Sequence, residues 1–200
     1  MDQNLHIIGI AGLSRSGKDT LADMFIIDNY FGVSVGDITR EYAKVRHAND
    51  PHPINRANLT ETSNWLRETR GPDVLMKISI EKYIEAIKTK KYKGLVCWSI
   101  RAPIEADFIL SNGGQLIWID VTDEVRYKRA MSDLRLGEPH LSFDEFIAQE
   151  NTQFKPIPGI PENIQMNLPY VKSKATKHIE NNSDDVNEFI TRAHKLIEQI

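Results

Sequence analysis

Short, wholly apolar runs alternate along the chain with longer segments whose apolar positions recur every three or four residues. The run Leu5 to Ala11 is rich in isoleucine and flanked by glycine; it is too short for a helix and reads as a strand buried on both faces. A glycine-bearing turn, Gly12 to Gly17, follows it, and then Leu21, Met24 and Phe25 fall at helical spacing, so a helix is predicted to begin near Lys18. Further strands are predicted at Gly32–Gly36, Gly94–Ile100, Gln115–Val121 and, more weakly, Thr176–Asn181, each followed by a segment that reads as helix. Such alternation requires crossover connections, and so predicts an α/β fold built on a parallel sheet.

Helix signals punctuate the gaps. Thr60 precedes a stretch that ends at Gly71, Pro72 stands where it opens the helix holding Leu75, Ile78, Ile84 and Ile87, and Pro103 follows Arg101-Ala102 in the same manner. The last helix is the clearest: Val186, Phe189, Ile190, Ala193, Ile197 and Ile200 form one stripe, with Asp184 and Asp185 beside its positive N-terminus. Two regions exceed what a crossover needs. Residues 41–70 carry His47, Asn49, Pro51 and Pro53 ahead of a short helix, and residues 134–175 carry Pro139, Pro156, Pro158, Pro161 and Pro169 around a predicted helix, Ser142–Gln149. With no repeat, low-complexity tract or linker, residues 1–200 read as one domain bearing two excursions.

Composition narrows the function. Two hundred residues, 40% hydrophobic and 26% charged, suit an ordinary globular domain. Twenty-five basic against 28 acidic side chains give a net charge of −3, so no chain-wide cationic field exists to hold a nucleic acid or an anionic membrane, and any polyanion must be met locally. The cluster Lys88, Lys90, Lys91 and Lys93 reads as a solvated helix end. Cys97, the one cysteine, lies within the apolar run Leu95 to Trp98 and reads as a packed thiol in a reducing compartment. No apolar run approaches the ~20 residues of a spanning helix. The start, Met1-Asp2-Gln3-Asn4, has no basic or apolar signal region, so a cytoplasmic location is expected. The six histidines show no spacing that would bind zinc.

The chemistry concentrates in Gly12-Leu13-Ser14-Arg15-Ser16-Gly17-Lys18-Asp19-Thr20, which follows a buried strand and opens a helix. In that context successive backbone N–H groups curl around an anion, the helix N-terminus adds positive potential and the Lys18 ammonium bridges the outer phosphates. Gly12 and Gly17 allow backbone angles and an approach that a Cβ would block. A bare glycine-rich turn with a solvated lysine is the alternative, and the flanking strand and helix argue against it. The residue after the lysine, where Ser or Thr usually offers a hydroxyl to Mg²⁺, is Asp19; the hydroxyl comes one later, at Thr20.

Three further signals stand at predicted strand ends, where open parallel sheets place their ligands. Gly36-Asp37-Ile38-Thr39-Arg40-Glu41 puts a carboxylate and, a helical turn on, a guanidinium beside the loop; Asp37 suits metal-bound water or an acceptor's proton and Arg40 an acceptor's phosphate, while a cap on a helix starting at Ile38 is the plain alternative. Trp98-Ser99-Ile100-Arg101 supplies another guanidinium, and Trp98 is either core or a stacking surface for a base. Arg126, Arg129 and Arg135 follow the fourth strand; Arg129 is the favoured cation for closing over a triphosphate, although Asp123, Glu124, Asp133 and Glu138 make ordinary surface ion pairing an equal account.

The Gly-Lys-x-Thr form of the loop resembles the nucleoside-monophosphate kinase branch of P-loop proteins, which includes adenylate kinase and dephospho-CoA kinase. Gly-Asp-x-x-Arg-Glu at 36–41 resembles their acceptor-side motif, and Leu66 to Asp73 with Ser142 to Phe146 resemble a family of P-loop proteins close to both kinases. The resemblance implies a three-layer P-loop NTPase fold with five parallel strands in the order 2-3-1-4-5, helices on both faces and a small lid over 134–175. It implies ATP and Mg²⁺ as cofactors. Gly12, Ser14, Arg15, Ser16, Gly17, Lys18, Asp19 and Thr20 would bind the nucleotide, with Thr20 on the α-phosphate and Mg²⁺ met by Thr20 or Asp37. Asp37, Arg40 and Arg101 would bind the acceptor, beside the insertion at 41–70. Lys18, Asp37, Arg101 and Arg129 would carry the transfer. Relatives read Asp-Gly-x-Arg where this chain has Trp98 to Arg101, so the aspartate that organises magnesium there is replaced by Trp98. The expected activity is phosphoryl transfer to a nucleoside monophosphate or similar small phosphorylated acceptor. A dephospho-CoA kinase and a nucleotide-binding switch with weak ATPase activity are the rivals.

Overall fold

Parallel pairing organises the molecule: β1 (Ile7–Gly12) lies between β3 (Leu95–Ile100) and β4 (Gln115–Asp120), with β2 (Phe31–Ser34) beyond β3 and β5 (Lys177–Glu180) beyond β4. The strand order is therefore 2-3-1-4-5. The computed structural model describes residues 5–134, 140–151, 154 and 158–200. Met1 to Asn4, Arg135, Glu138, Pro139 and Pro156, which figured in the sequence reading, lie outside the described residues.

Each face of the sheet has its own core. Ile8, Ile10, Val96, Ile117 and Ile119 point to one side, where Leu21 and Phe25 of α1 (Lys18–Ile27) and Phe189 and Ala193 of α9 (Val186–Ile197) bury them. Ile7, Leu95, Cys97, Leu116 and Trp118 point to the other, against α2 (Val35–Arg46), α3 (Arg56–Arg70), α4 (Val74–Ala86), α5 (Pro103–Ser111) and α8 (Leu168–Ser173). Cys97 is fully buried, and burial pushes its thiol pKa up to about 12, as befits a packing residue. Among the described residues no helix is long and apolar enough to cross a membrane.

Several boundaries differ from the sequence reading. Val35 and Gly36 belong to the first turn of α2, not to the strand, because the Ser34 hydroxyl accepts the Asp37 N–H at 3.1 Å and caps the helix there. The cap is thus Ser34, and Asp37 sits inside the helix, in its favourable first turn. Helix α3 starts at Arg56, earlier than Thr60, since Asn55 caps it. Helix α4 starts at Val74, past Pro72. Among the described residues the excursion at 134–175 contains two helices rather than one: α7 (Phe143–Asn151) packs Phe143 and Phe146 on Tyr127 of α6 (Asp123–Ser132), while α8 buries Leu168 and Val171 in the core.

Strand β3 ends in a bulge. Ile10 pairs with Trp98 but Ala11 pairs with Ile100, leaving Ser99 as an extra residue with φ 66°. Strict alternation would put Ile100 on the same face as Trp98; the extra residue returns it to the face of Leu95 and Cys97 and re-aims the chain just before Arg101.

Candidate active site

The loop between β1 and α1 has the backbone its glycines permit. Gly17 has φ 93°, and a Cβ there would stand 2.5 Å from Nδ2 of Asn181; a Cβ on Gly12 would meet Ser16 Oγ at 2.7 Å. Arg15 also takes a left-handed φ of 61°. Lys18 is only 9% exposed, and its ammonium donates to the carbonyls of Leu13 at 2.7 Å and Gly12 at 3.1 Å. Burial, and after it the neighbouring Arg101 guanidinium, lowers the Lys18 pKa from its usual 10.5 to about 7. A cation so poorly solvated is primed for an anionic partner.

Long-range contacts fix the loop from beneath. Asn181, at the end of β5, donates from Nδ2 to the Ser16 carbonyl at 2.9 Å. Arg129, the expected closing cation, donates to the Arg15 carbonyl at 3.3 Å, to both oxygens of Asn181 at 3.0 and 3.2 Å, and to the Ser183 carbonyl at 2.9 Å. In this conformation it braces the loop against the β5–α9 connection instead of reaching over it. Arg15 pairs with Asp133 at 2.7 Å. Ser183 accepts the Asp185 N–H, and Asp185 caps α9.

The acceptor-side residues gather across the sheet edge. Asp37 is exposed and ion-paired to Arg40 one turn later. Arg101 is half-buried, and burial lowers its pKa, as do the nearby charges of Arg40 and Arg56. Its backbone is fixed by Glu105, whose Oε2 accepts the N–H groups of Arg101 and Ala102 at 2.8 and 3.1 Å and whose Oε1 pairs with Arg67 at 2.5 Å. A cleft of about 620 Å³ opens alongside, between α3 and α7, lined among others by Arg56, Thr60, Asn64 and Gln149.

Trp98 is half-buried: it packs with the α1-side core and its Nε1 donates to Asp19 Oδ1 at 2.8 Å. Asp120, at the end of β4, is satisfied by Trp118, Lys172 and His178. Arg56 and Glu150 belong to the cluster but carry no local sequence signal; only the fold brings them there.

Taken whole, the architecture matches solved structures end to end, kinases among them. The chain is similar to TT1252 from Thermus thermophilus over 98% of both chains, with TM-score 0.60 and 18% identity. It is similar to dephospho-CoA kinase from Campylobacter jejuni over 96% of both chains, with TM-score 0.53 and 17% identity. Shikimate kinase from Bacteroides thetaiotaomicron aligns over 97% of both, with TM-score 0.53 and 14% identity. The fold is that of the P-loop kinases. In sequence, the chain is 23% identical over 197 residues to a UPF0200 protein of Methanococcus vannielii, covering 98% of this chain and 97% of the relative. No family model matches it. The loop at 12–17, the first turn of α2 with Asp37 and the segment after β3 with Arg101 all lie at the carboxyl ends of the strands, where open parallel sheets place their ligands.

Proposed function

We propose that the protein is an ATP-dependent phosphotransferase that moves the γ-phosphoryl group to a small phosphorylated acceptor, a nucleoside monophosphate first among them. One observation carries the reading: the nearly buried Lys18 ammonium on the loop lies close enough to the Arg101 guanidinium for that guanidinium to disfavour its charge, and Arg40 and Arg56 act on Arg101 in the same sense. Two cationic surfaces facing each other across a strand edge suit two anionic substrates brought together, the arrangement phosphoryl transfer needs.

In this reading the amides from Gly12 to Gly17 and Lys18 hold the donor's phosphates, Ser14, Arg15 and Ser16 shape the cradle, and Thr20 meets the α-phosphate. Arg40 and Arg101 grip the acceptor, whose body enters the cleft beside α3. Arg129 steadies the donor side. Asp19 and Thr20 in the first turn of α1 and Asp37 in the first turn of α2 are hard oxygen donors of the kind that would hold Mg²⁺. When bound, the ion supplies charge neutralisation to the phosphates. The chain's own task is to orient the two substrates and exclude water between them.

The likeness to dephospho-CoA kinase favours a second acceptor, a ribose hydroxyl with Asp37 as its base. A screen of ATP and Mg²⁺ against the common mononucleotides, dephospho-CoA and shikimate, followed by ADP release, separates the readings. Transfer to one mononucleotide is expected. Tight ATP binding with no product on any acceptor would replace the kinase reading with a nucleotide-binding switch.

A further inference from the structure

Glu150, near the end of α7, is 4% exposed although it is charged. Its Oε2 accepts from Arg126 Nη1 at 2.8 Å, and its Oε1 lies 3.6 Å from Arg56 Nη2. The same carboxylate acts electrostatically on Lys18 and on Arg101. Cations from α1, the end of β3, α3 and α6 therefore converge on an acidic group that arrives from α7.

The position of Arg126 ties this group to the loop. Arg126 is 2% exposed, and its Nη1 also reaches toward the Ser14 carbonyl at 3.5 Å. Asp123 pairs with its Nη2 at 2.6 Å, while its Nε is buried without a hydrogen-bond partner. A buried guanidinium with a spare donor, facing a carboxylate drawn from another helix, is a built anion site.

We propose that in the ligand-free protein the Glu150 carboxylate occupies an anion subsite formed by Arg56 and Arg126, and that a phosphate group of the ligand displaces it. The inference rests on the reading of the loop at 12–17 as a phosphate cradle, which this subsite adjoins. A carboxylate and a phosphate in one poorly solvated cluster repel each other. The phosphate wins the arginines because it carries more charge and three acceptor oxygens. Helix α7 meets α6 through Phe143 and Phe146 on Tyr127, with Phe143 exposed and Phe146 buried, and displacement of Glu150 requires the C-terminal end of α7 to shift past that seam. Glu150 thus keeps the cations paired before the ligand arrives and lowers the site's affinity for anions that bring too little charge to evict it.

Inorganic pyrophosphate is the probe. Titrated into wild type and Glu150→Gln, it is expected to bind the variant at least tenfold more tightly, because the amide keeps the shape and removes the competing charge. Equal or weaker binding overturns the proposal. Amide hydrogen exchange on the wild type tests the displacement without any substitution and decides the matter if the variant does not fold. Saturating pyrophosphate should speed exchange across residues 143–151 at least tenfold while slowing it at the start of α1, and unchanged or slower exchange in α7 overturns the proposal. Lys18→Ala separates the two levels. If it binds pyrophosphate as tightly as wild type, the cradle reading fails; if it loses binding while Glu150→Gln gains none, the cradle stands and the displacement falls.

Discussion

The indole Nε1 of Trp98 donates a 2.8 Å hydrogen bond to Oδ1 of Asp19. These are the two positions at which the chain departs from the P-loop kinase pattern, and they touch. The carboxylate missing from the end of β3 stands instead in the first turn of α1, and the residue that replaced it at 98 fixes one of its oxygens. In the proposed kinase reading, Asp19 is the carboxylate that would supply negative charge beside Mg²⁺. Trp98→Phe keeps the ring and removes the donor, at a cost of about 0.5–1.5 kcal/mol in stability. ATP affinity in Mg²⁺ should fall by roughly threefold to tenfold, on the order of one such hydrogen bond. In chelator it should not change. Paired titrations check this, and an equal loss in both conditions would assign Trp98 to packing alone.

In the proposed reading, Lys18 makes nucleotide binding a proton-linked event. Its pKa is about 7 in the free protein, against 10.5 for a solvated lysine, chiefly because it is buried. A bound polyphosphate favours the charged form and raises that pKa. Between these values the free protein lacks a proton that the complex holds, so binding at pH 8 to 9 takes up a proton and weakens as pH rises. Calorimetry in buffers of differing ionisation enthalpy reads the proton count directly, and the account requires uptake. The stability of the free protein has the matching sign: the unfolded chain holds the extra proton over this range, so stability increases with pH there.

The Arg67–Glu105 pair is buried at both ends, at 7% and 1% exposure, and it holds the backbone from which Arg101 projects. Arg67→Met leaves Glu105 charged and unpaired, and should destabilise the fold by about 3–5 kcal/mol. Arg67→Met combined with Glu105→Leu should recover part of that loss while leaving the N–H groups of Arg101 and Ala102 without their acceptor. Urea unfolding of the two variants measures the difference.

Gly17→Ala places a Cβ 2.5 Å from Asn181 Nδ2 at a φ of 93°. The left-handed backbone alone costs about 1–2 kcal/mol, and relief of the clash breaks the Asn181 bond that supports the Ser16 carbonyl. ATP affinity should drop at least tenfold, about 1.4 kcal/mol or more, with the protein still folded by circular dichroism. Asn181→Ala, which removes the brace and spares the glycine, should lower affinity less.

Much of the fold was legible because its signals are local. The apolar run at Leu5–Ala11, the glycine turn and the stripe from Leu21 to Phe25 lie within one short stretch, and each of the other strands follows the same grammar. The β2–α2 boundary was not legible, because Ser34 stops the strand through a hydrogen bond that composition does not announce. The site divides in the same way. Lys18 and its glycines declare themselves, whereas the bond from Trp98 to Asp19 joins residues 79 apart and that from Asn181 to Ser16 spans 165. Glu150 has no motif at all; its meaning comes from Arg56 and Arg126, which other helices deliver.

The central claim concerns main-chain N–H groups, and amide NMR observes them. On titration of the wild type with ATP, the amides of Leu13 through Thr20 are predicted to shift most and to saturate together with one affinity. If those amides stay fixed while others shift, the loop is not where the protein holds its phosphates.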